Sequence, residues 1–127
     1  MKTILVDAID WLINPDGSVF QEMHVMLEKF SNNKIILTNA DYKKDNKYNL
    51  NNAPYKVFSL SHNPNKIDSK YYEMMLDEYN LSLGDVVYFD HSEQAVKSAQ
   101  SIGITTYHYD KDKKDLEALE QFLNENI

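Results

Sequence analysis

The residue whose type and position could do chemistry is Asp7, which ends the short apolar run 4–6 near the N-terminus. An apolar run that ends in a lone aspartate places a carboxylate at the carboxyl edge of a sheet, where open α/β sheets bind their ligands. A carboxylate at that edge can attack a phosphoryl group and form a transient aspartyl-phosphate. A phosphate-hydrolysing enzyme of this type uses a second carboxylate, two positions further on, as acid and base. Ile9 stands there instead, so the sequence predicts a catalytic scaffold with parts missing.

The elements that must position Asp7 alternate between strand and helix signals along the whole chain. The predicted strands cover residues 3–6, 34–37, 55–60, 85–89 and 104–107. The predicted helices cover residues 19–30, 69–79, 92–101 and 112–124, and Gly103 can cap the third of them. Residues 14–17 predict a turn, and the polar segment 41–54 predicts a loop with room for one short helix. This alternation is typical of an α/β fold, a three-layer α/β/α sandwich with a mostly parallel, about five-stranded Rossmann-like sheet.

The composition fits one compact domain over residues 1–127, because 43% of the 127 residues are hydrophobic and can form one core. The absence of cysteine excludes disulfides, thiolate nucleophiles and cysteine-ligated zinc, and suits a reducing compartment. No apolar stretch is long enough to span a membrane, and the N-terminus does not have the pattern of a signal peptide. We therefore expect a cytoplasmic protein without a membrane partner. A net charge of −7 argues against general nucleic-acid binding.

The order of the motifs resembles the haloacid-dehalogenase (HAD)-like hydrolase superfamily over nearly the whole chain. Segment 66–73 is similar to that family's Lys-Pro-Asp-Pro-x-x-Tyr/Phe motif, and segment 86–92 is similar to its strand that ends in paired acids. Ala99 and Gly103 fall where the family has Ala-x-x-x-Gly. Each motif alone is weak, but their agreement in register favours a HAD-like core domain.

The resemblance implies a role for each matched residue. Asp7 would be the catalytic nucleophile, and Thr38 and Lys66 would hold the phosphate oxygens. Asp90 matches one of the acids that, together with Asp7, would bind Mg²⁺. Lys70 is a rival for the lysine role, but the alignment of the following helix favours Lys66. On a purely structural interpretation, each of these side chains could instead end a strand or cap a helix.

The sequence departs from the family first at the position of its general acid and base. Ile9 cannot donate a proton, and general acid–base catalysis typically raises the rate by about 10²- to 10⁴-fold. Asp10 is the alternative donor, but one step along an extended segment reverses the direction of a side chain. Trp11 also departs, because the family usually has Thr there.

The second departure is His91, which stands where the family usually has a metal-binding acid, and Ala95 replaces a common Asn. Mg²⁺ prefers hard oxygen ligands. A tentative metal site of Asp7, Asp90 and His91 could therefore favour Mn²⁺ or Zn²⁺ over Mg²⁺. The alternative is that His91 caps the next helix or faces solvent.

The connections between the matched residues are short, with about 31 positions from Asp7 to Thr38 and about 28 from Thr38 to Lys66. No cap domain fits there, so we expect a capless core with an open crevice. Such a crevice suits a macromolecular phosphate or closure by a second copy of the chain, and the loop 41–54 could be a partial flap.

A receiver domain of a two-component system is the competing fold, but it needs an aspartate after the third strand. Segment 59–62 has none.

Two functions follow from these residues. The first is a degenerate HAD-like domain that binds a phosphorylated small molecule, a phosphoprotein or another partner, with little turnover; homo-oligomers are also compatible with it. Its basis is Ile9 together with His91. The second is a slow or specialised metal-dependent phosphohydrolase or phosphotransferase that acts through an Asp7 aspartyl-phosphate. Its basis is the retained Asp7, Thr38 and Lys66.

Overall fold

The computed structural model describes residues 1–8, 12–14, 16, 18–41, 50–110 and 112–127, and of residue 51 only the backbone. Five parallel strands form one sheet in the order β3-β2-β1-β4-β5. The strands are β1 Thr3–Asp7, β2 Lys34–Thr38, β3 Lys56–Ser59, β4 Val86–Asp90 and β5 Thr105–His108. The described sheet is thus wholly parallel, where the sequence predicted a mostly parallel one.

Four helices cover the two faces of this sheet: α1 Gln21–Leu27, α2 Ser69–Glu78, α3 Glu93–Ser101 and α4 Leu116–Asn126. Helices α1 and α4 contribute to one hydrophobic cluster, and α2 and α3 contribute to another. Ile4 and Val6 point into the first cluster and Leu5 into the second, because alternate side chains of a strand face opposite sides of a sheet. The predicted three-layer α/β/α sandwich is therefore confirmed.

The register of the sheet sets which strand ends lie side by side. β1 is the central strand, and Val6 pairs with Ile36 of β2 on one side and with Phe89 of β4 on the other. The carboxyl ends of these three strands therefore lie at one edge. All residues of the three strands are buried, which explains their nearly continuous apolar sequence.

Helices α1 and α4 begin later than predicted, because a local interaction interrupts the helical pattern at the N-terminal end of each. Helix α1 begins only at Gln21, because Val19 forms an isolated antiparallel bridge with Ile13 and Phe20 is extended. Helix α4 begins at Leu116, after Asp115, whose carboxylate accepts a hydrogen bond from the Ala118 N–H. The bridge before α1 and the Asp115 cap of α4 make both helices shorter at their N-terminal ends than predicted.

Gly103 has φ +102° immediately after helix α3, which confirms the predicted cap, since this backbone region favours glycine. The predicted turn 14–17 and the predicted loop 41–54 lie partly outside the described residues. The described end of that loop contains a short 3₁₀ helix, Leu50–Asn52. Among the described residues, no helix combines the length and the apolar character that a membrane crossing requires.

Two tyrosines at the start of α2 are fully buried. The Tyr71 hydroxyl lies 2.8 Å from the carbonyl oxygen of Thr38 and 3.0 Å from that of Phe58. The Tyr72 hydroxyl lies 2.8 Å from the carbonyl oxygen of Lys66. These hydroxyls can be buried because each finds backbone acceptors. The Tyr71 hydroxyl attaches α2 to strands β2 and β3, and the Tyr72 hydroxyl attaches it to the loop that carries Lys66.

We expect Tyr71→Phe to lower the free energy of unfolding by about 1–3 kcal/mol, because two buried carbonyls lose their donor. Urea unfolding measures the change. The matched control is Tyr55→Phe, whose hydroxyl bonds the exposed Glu28 at 2.9 Å and should matter by less than about 1 kcal/mol. Equal losses in the two variants would contradict this account of the Tyr71 hydroxyl.

Candidate active site

Three neighbouring strand ends and one loop bring the predicted site residues together. Asp7 ends β1, Thr38 ends β2 and Asp90 ends β4, while Lys66 lies in the loop before α2. Asp7 is only 3% exposed and Asp90 is 0% exposed. Charged side chains are buried to this degree only when they are paired, so the pairing partners define the site.

The Lys66 ammonium is the centre of this pairing. Its Nζ atom lies 3.1 Å from Asp7 Oδ1, 2.6 Å from Asp90 Oδ2 and 3.2 Å from the carbonyl oxygen of Leu37. An ammonium has three N–H donors, so these three acceptors can satisfy all of them. Lys70, the rival for this role, is exposed on the first turn of α2.

The backbone of Lys66 is held by residues that the sequence analysis did not single out. The Lys66 N–H donates to Asn39 Oδ1 at 2.8 Å, and Asn39 Nδ2 donates to Asn65 Oδ1 at 3.2 Å. Asn65 Oδ1 also accepts from the N–H of Ile67 at 3.1 Å. The only signal in the sequence was that Asn39 directly follows Thr38.

His91 contacts the predicted nucleophile directly. Its Nδ1 atom forms a hydrogen bond with Asp7 Oδ2 and lies 3.5 Å from Asp90 Oδ1. The His91 backbone N–H also points to Asp7 Oδ2, at 3.3 Å. Ser92, rather than His91, caps α3 through its hydroxyl, which accepts from the Ala95 N–H at 3.2 Å. The alternative that His91 caps the helix is therefore wrong.

Asp90 has two further partners besides Lys66 and His91. The Tyr88 hydroxyl donates to Asp90 Oδ2, and the Ser92 N–H donates to Asp90 Oδ1 at 2.9 Å. Tyr88 and Asp90 are two positions apart on β4 and therefore face the same side of the sheet. The sequence analysis missed Tyr88, although this spacing placed its side chain on the same face as Asp90.

Thr38 is buried at the end of β2, and its hydroxyl oxygen accepts a hydrogen bond from the Ala40 N–H at 3.1 Å. This bond stabilises the turn that follows the strand, as the purely structural interpretation predicted. The hydroxyl proton is still a donor for an acceptor at the edge of the sheet. Ile9, Asp10 and Trp11 lie outside the described residues, so the predictions that concern them stay predictions.

The surroundings of each charge shift its pKa. Burial opposes ionisation of Asp7, but the Lys66 charge and the His91 hydrogen bond outweigh it and lower the pKa to about 2. Burial, together with the Asp7 charge, raises the pKa of Asp90. Burial opposes the charge on Lys66, yet the two carboxylates raise its pKa. The hydrogen bond to Asp7 raises the pKa of His91.

Asp7, Asp90 and His91 also have the arrangement of a metal-ligand set, since each offers one ligand atom and these atoms lie within 4.8 Å of one another. The same atoms already have partners within the protein, namely Lys66, Tyr88, the Ser92 N–H and one another. A cation could bind there only after some of these contacts are replaced.

We expect His91 to stabilise the protein more at acidic than at alkaline pH. The raised pKa means that this contribution is complete below the unfolded pKa of about 6.5 and is lost as the pH rises through the folded pKa. The stability difference between wild type and His91→Gln should be about 1–3 kcal/mol near pH 5.5 and should shrink as the pH rises above about 6.5. Urea unfolding across this range is the measurement, with His24→Gln as the control for removing an imidazole. A difference that grows with pH would contradict the charged pair.

Comparison with known proteins relates this geometry to a known fold. No protein-family model and no curated protein matches the chain. An uncharacterized protein from Corynebacterium glutamicum has a similar structure, with a TM-score of 0.65 and 14% identity over 98% of this chain and 96% of that one. A mutant of a HAD family enzyme from Bacteroides thetaiotaomicron, in complex with magnesium and inorganic phosphate, matches with a TM-score of 0.63 and 14% identity. That match covers 84% of this chain and 93% of the enzyme. The protein therefore has a HAD-like α/β fold, in agreement with the order of its motifs.

Proposed function

We propose that this protein is a HAD-like domain that binds a phosphate group at Asp7, Thr38 and Lys66 with little turnover. The observation that carries the proposal is the buried Asp7 carboxylate, held between the Lys66 ammonium and the His91 imidazole at the end of the central strand. The HAD family enzyme with a similar fold is itself in complex with inorganic phosphate and magnesium. Its phosphate supports the class of ligand that we propose.

The chemistry of the edge residues favours a phosphoryl group as the ligand. Lys66 contributes a positive charge, His91 contributes an imidazole, and the Thr38 hydroxyl contributes a donor. The site lies at the carboxyl ends of the strands, where parallel α/β sheets bind ligands. A phosphorylated small molecule and a phosphoprotein present the same chemistry. The short connections between the site residues support a core without a cap domain, which would leave the crevice open to either.

Two features argue that turnover is slow. Ile9 cannot protonate a leaving group or activate water, and general acid–base catalysis of that kind contributes about 10²–10⁴ in rate. Each oxygen of Asp7 is engaged, Oδ1 by Lys66 and Oδ2 by His91. A nucleophile must release one of these contacts before it can attack. The proposed degenerate character of the site rests on these two features together.

The second candidate function is a slow phosphohydrolase or phosphotransferase that forms an aspartyl-phosphate on Asp7. The pKa of Asp7, about 2, favours it, because the carboxylate is ionised at neutral pH as a nucleophile must be. In this alternative the substrate or Asp10 supplies the missing proton. Hydrolysis of phosphate esters distinguishes the two candidates.

Mg²⁺, which the HAD resemblance implies, does not fit the side chains as they are arranged. Mg²⁺ requires oxygen ligands in near-octahedral geometry, whereas the third group here is an imidazole. Both oxygens of Asp7 and both oxygens of Asp90 have partners within the protein. The donor set of two carboxylates and one imidazole suits Mn²⁺ or Zn²⁺ better, provided that His91 releases Asp7.

We expect the wild-type protein to hydrolyse p-nitrophenyl phosphate at or near the background rate, with Mg²⁺, Mn²⁺ or Zn²⁺ present in turn. Ile9→Asp should raise the rate by about tenfold or more, because it restores a general acid and base. Asp7→Asn in the Ile9→Asp background is the control, and it should remove the gain. Wild-type turnover that vanishes in Asp7→Asn would support the slow phosphohydrolase instead.

We expect inorganic phosphate to bind the wild type, and Thr38→Val to weaken that binding by about tenfold, because the phosphate loses one hydrogen-bond donor. Isothermal titration calorimetry measures both dissociation constants, and the position of the ligand follows from amide shifts in NMR spectra. Thr106→Val makes the same change on β5 and should leave phosphate binding unaltered. Absence of binding to the wild type, or equal binding by Thr38→Val, would contradict the proposed site.

A further inference from the structure

We propose that this site binds phosphate without a divalent metal ion, because the side chains of His91 and Lys66 together bridge the two carboxylates to which such an ion would bind. The inference rests on the proposed function for its ligand, but its claim about metal ions can be tested without phosphate. It assigns His91 to the binding of phosphate rather than to the binding of a metal.

The geometry that carries the inference is a double bridge between the two carboxylates. Lys66 Nζ bridges Asp7 Oδ1 and Asp90 Oδ2, at 3.1 and 2.6 Å. His91 Nδ1 bridges the other two oxygens, with a hydrogen bond to Asp7 Oδ2 and a distance of 3.5 Å to Asp90 Oδ1. Each carboxylate therefore faces Lys66 with one oxygen and His91 with the other.

The four residues Asp7, Lys66, Asp90 and His91 form a tetrad in which both carboxylates and the ammonium are buried. A metal ion bound to the two carboxylates would lie beside the Lys66 ammonium, and like charges repel strongly in such a poorly solvated place.

A metal would also have to displace protein contacts rather than add to them. A metal held by imidazole and carboxylate lies about 2.0–2.2 Å from each ligand atom and uses the lone pair of the nitrogen. His91 Nδ1 directs its bond to Asp7 Oδ2 instead. Binding would require His91 to give up a proton and to separate from Asp7, and Lys66 to withdraw from at least one carboxylate.

His91 is the member of the tetrad that a phosphate group meets first. Its side chain is 28% exposed, whereas those of Asp7, Asp90 and Lys66 are 4%, 0% and 8% exposed. The His108 ring holds the backbone of His91 through a contact of 2.8 Å between Nε2 and the His91 carbonyl oxygen. The imidazole is thus the most exposed group of the tetrad, and its backbone is held in place by His108.

The first experiment titrates inorganic phosphate into the full chain by isothermal titration calorimetry, once with EDTA and once with millimolar Mg²⁺. The expected dissociation constants agree within about twofold, and His91→Gln weakens binding by about tenfold or more, as loss of a charge-assisted hydrogen bond implies. His24→Gln, which removes an imidazole that packs against Tyr55, should bind like wild type. Phosphate binding that appears only with Mg²⁺ would overturn the inference while leaving the proposed function intact.

The second experiment measures metal binding alone and does not depend on phosphate. Mn²⁺, observed by electron paramagnetic resonance, and Mg²⁺ and Zn²⁺, observed by calorimetry, should not bind wild type at millimolar concentration. His91→Asp should bind Mn²⁺ and Mg²⁺, because it frees Asp7 and adds carboxylate oxygens. Wild-type binding of any of the three ions that is lost in His91→Gln would overturn the inference. If phosphate fails to bind in every condition, the proposed function fails, and the metal titration still decides the claim about His91.

Discussion

The burial of the Lys66 ammonium between two carboxylates is the interaction on which the rest of the site depends. Removing one charge from water costs several kcal/mol, and only close partners with good geometry offset that cost. Asp7 and Asp90 provide those partners because β1 and β4 are neighbours in the sheet and end at the same edge. The order of the strands is thus a condition for the lysine to be buried at all.

The contacts that stabilise the buried charges also oppose metal binding and nucleophilic attack. Hydrogen bonds from His91, Tyr88 and the Ser92 N–H satisfy the carboxylates and make the charged group tolerable in the interior. Satisfied carboxylates are also poor metal ligands and hindered nucleophiles, since each new contact must replace an existing one.

The sequence was sufficient to predict the three-layer fold, because strand periodicity and chain order carry that information. The family resemblance indicated Asp7, Lys66 and Asp90, which contact one another in the structure. It also grouped His91 with Asp7 and Asp90 as a tentative metal site, but it did not predict the hydrogen bond between His91 and Asp7, since that contact joins residues 84 positions apart and depends on a side-chain rotamer. Asn39 and Tyr88 were missed for a similar reason. Hydrogen bonds between distant elements have no period in the sequence, although Tyr88 could have been placed by its spacing from Asp90. The shortened start of α1 was unpredictable because it results from a bridge between Val19 and Ile13.

The closed set of two acids and two bases has a consequence for how a ligand arrives. Opposite charges that lie within a few ångströms of one another largely cancel beyond a Debye length of about 10 Å at ordinary ionic strength. The chain as a whole carries a net charge of −7, so phosphate, the ligand that we propose, experiences repulsion rather than steering at a distance. Its encounter with the site therefore depends on diffusion and on contacts made at close range, and added salt should speed association rather than slow it. Discrimination among anions then depends on the direction of the donors at the site, not on long-range attraction.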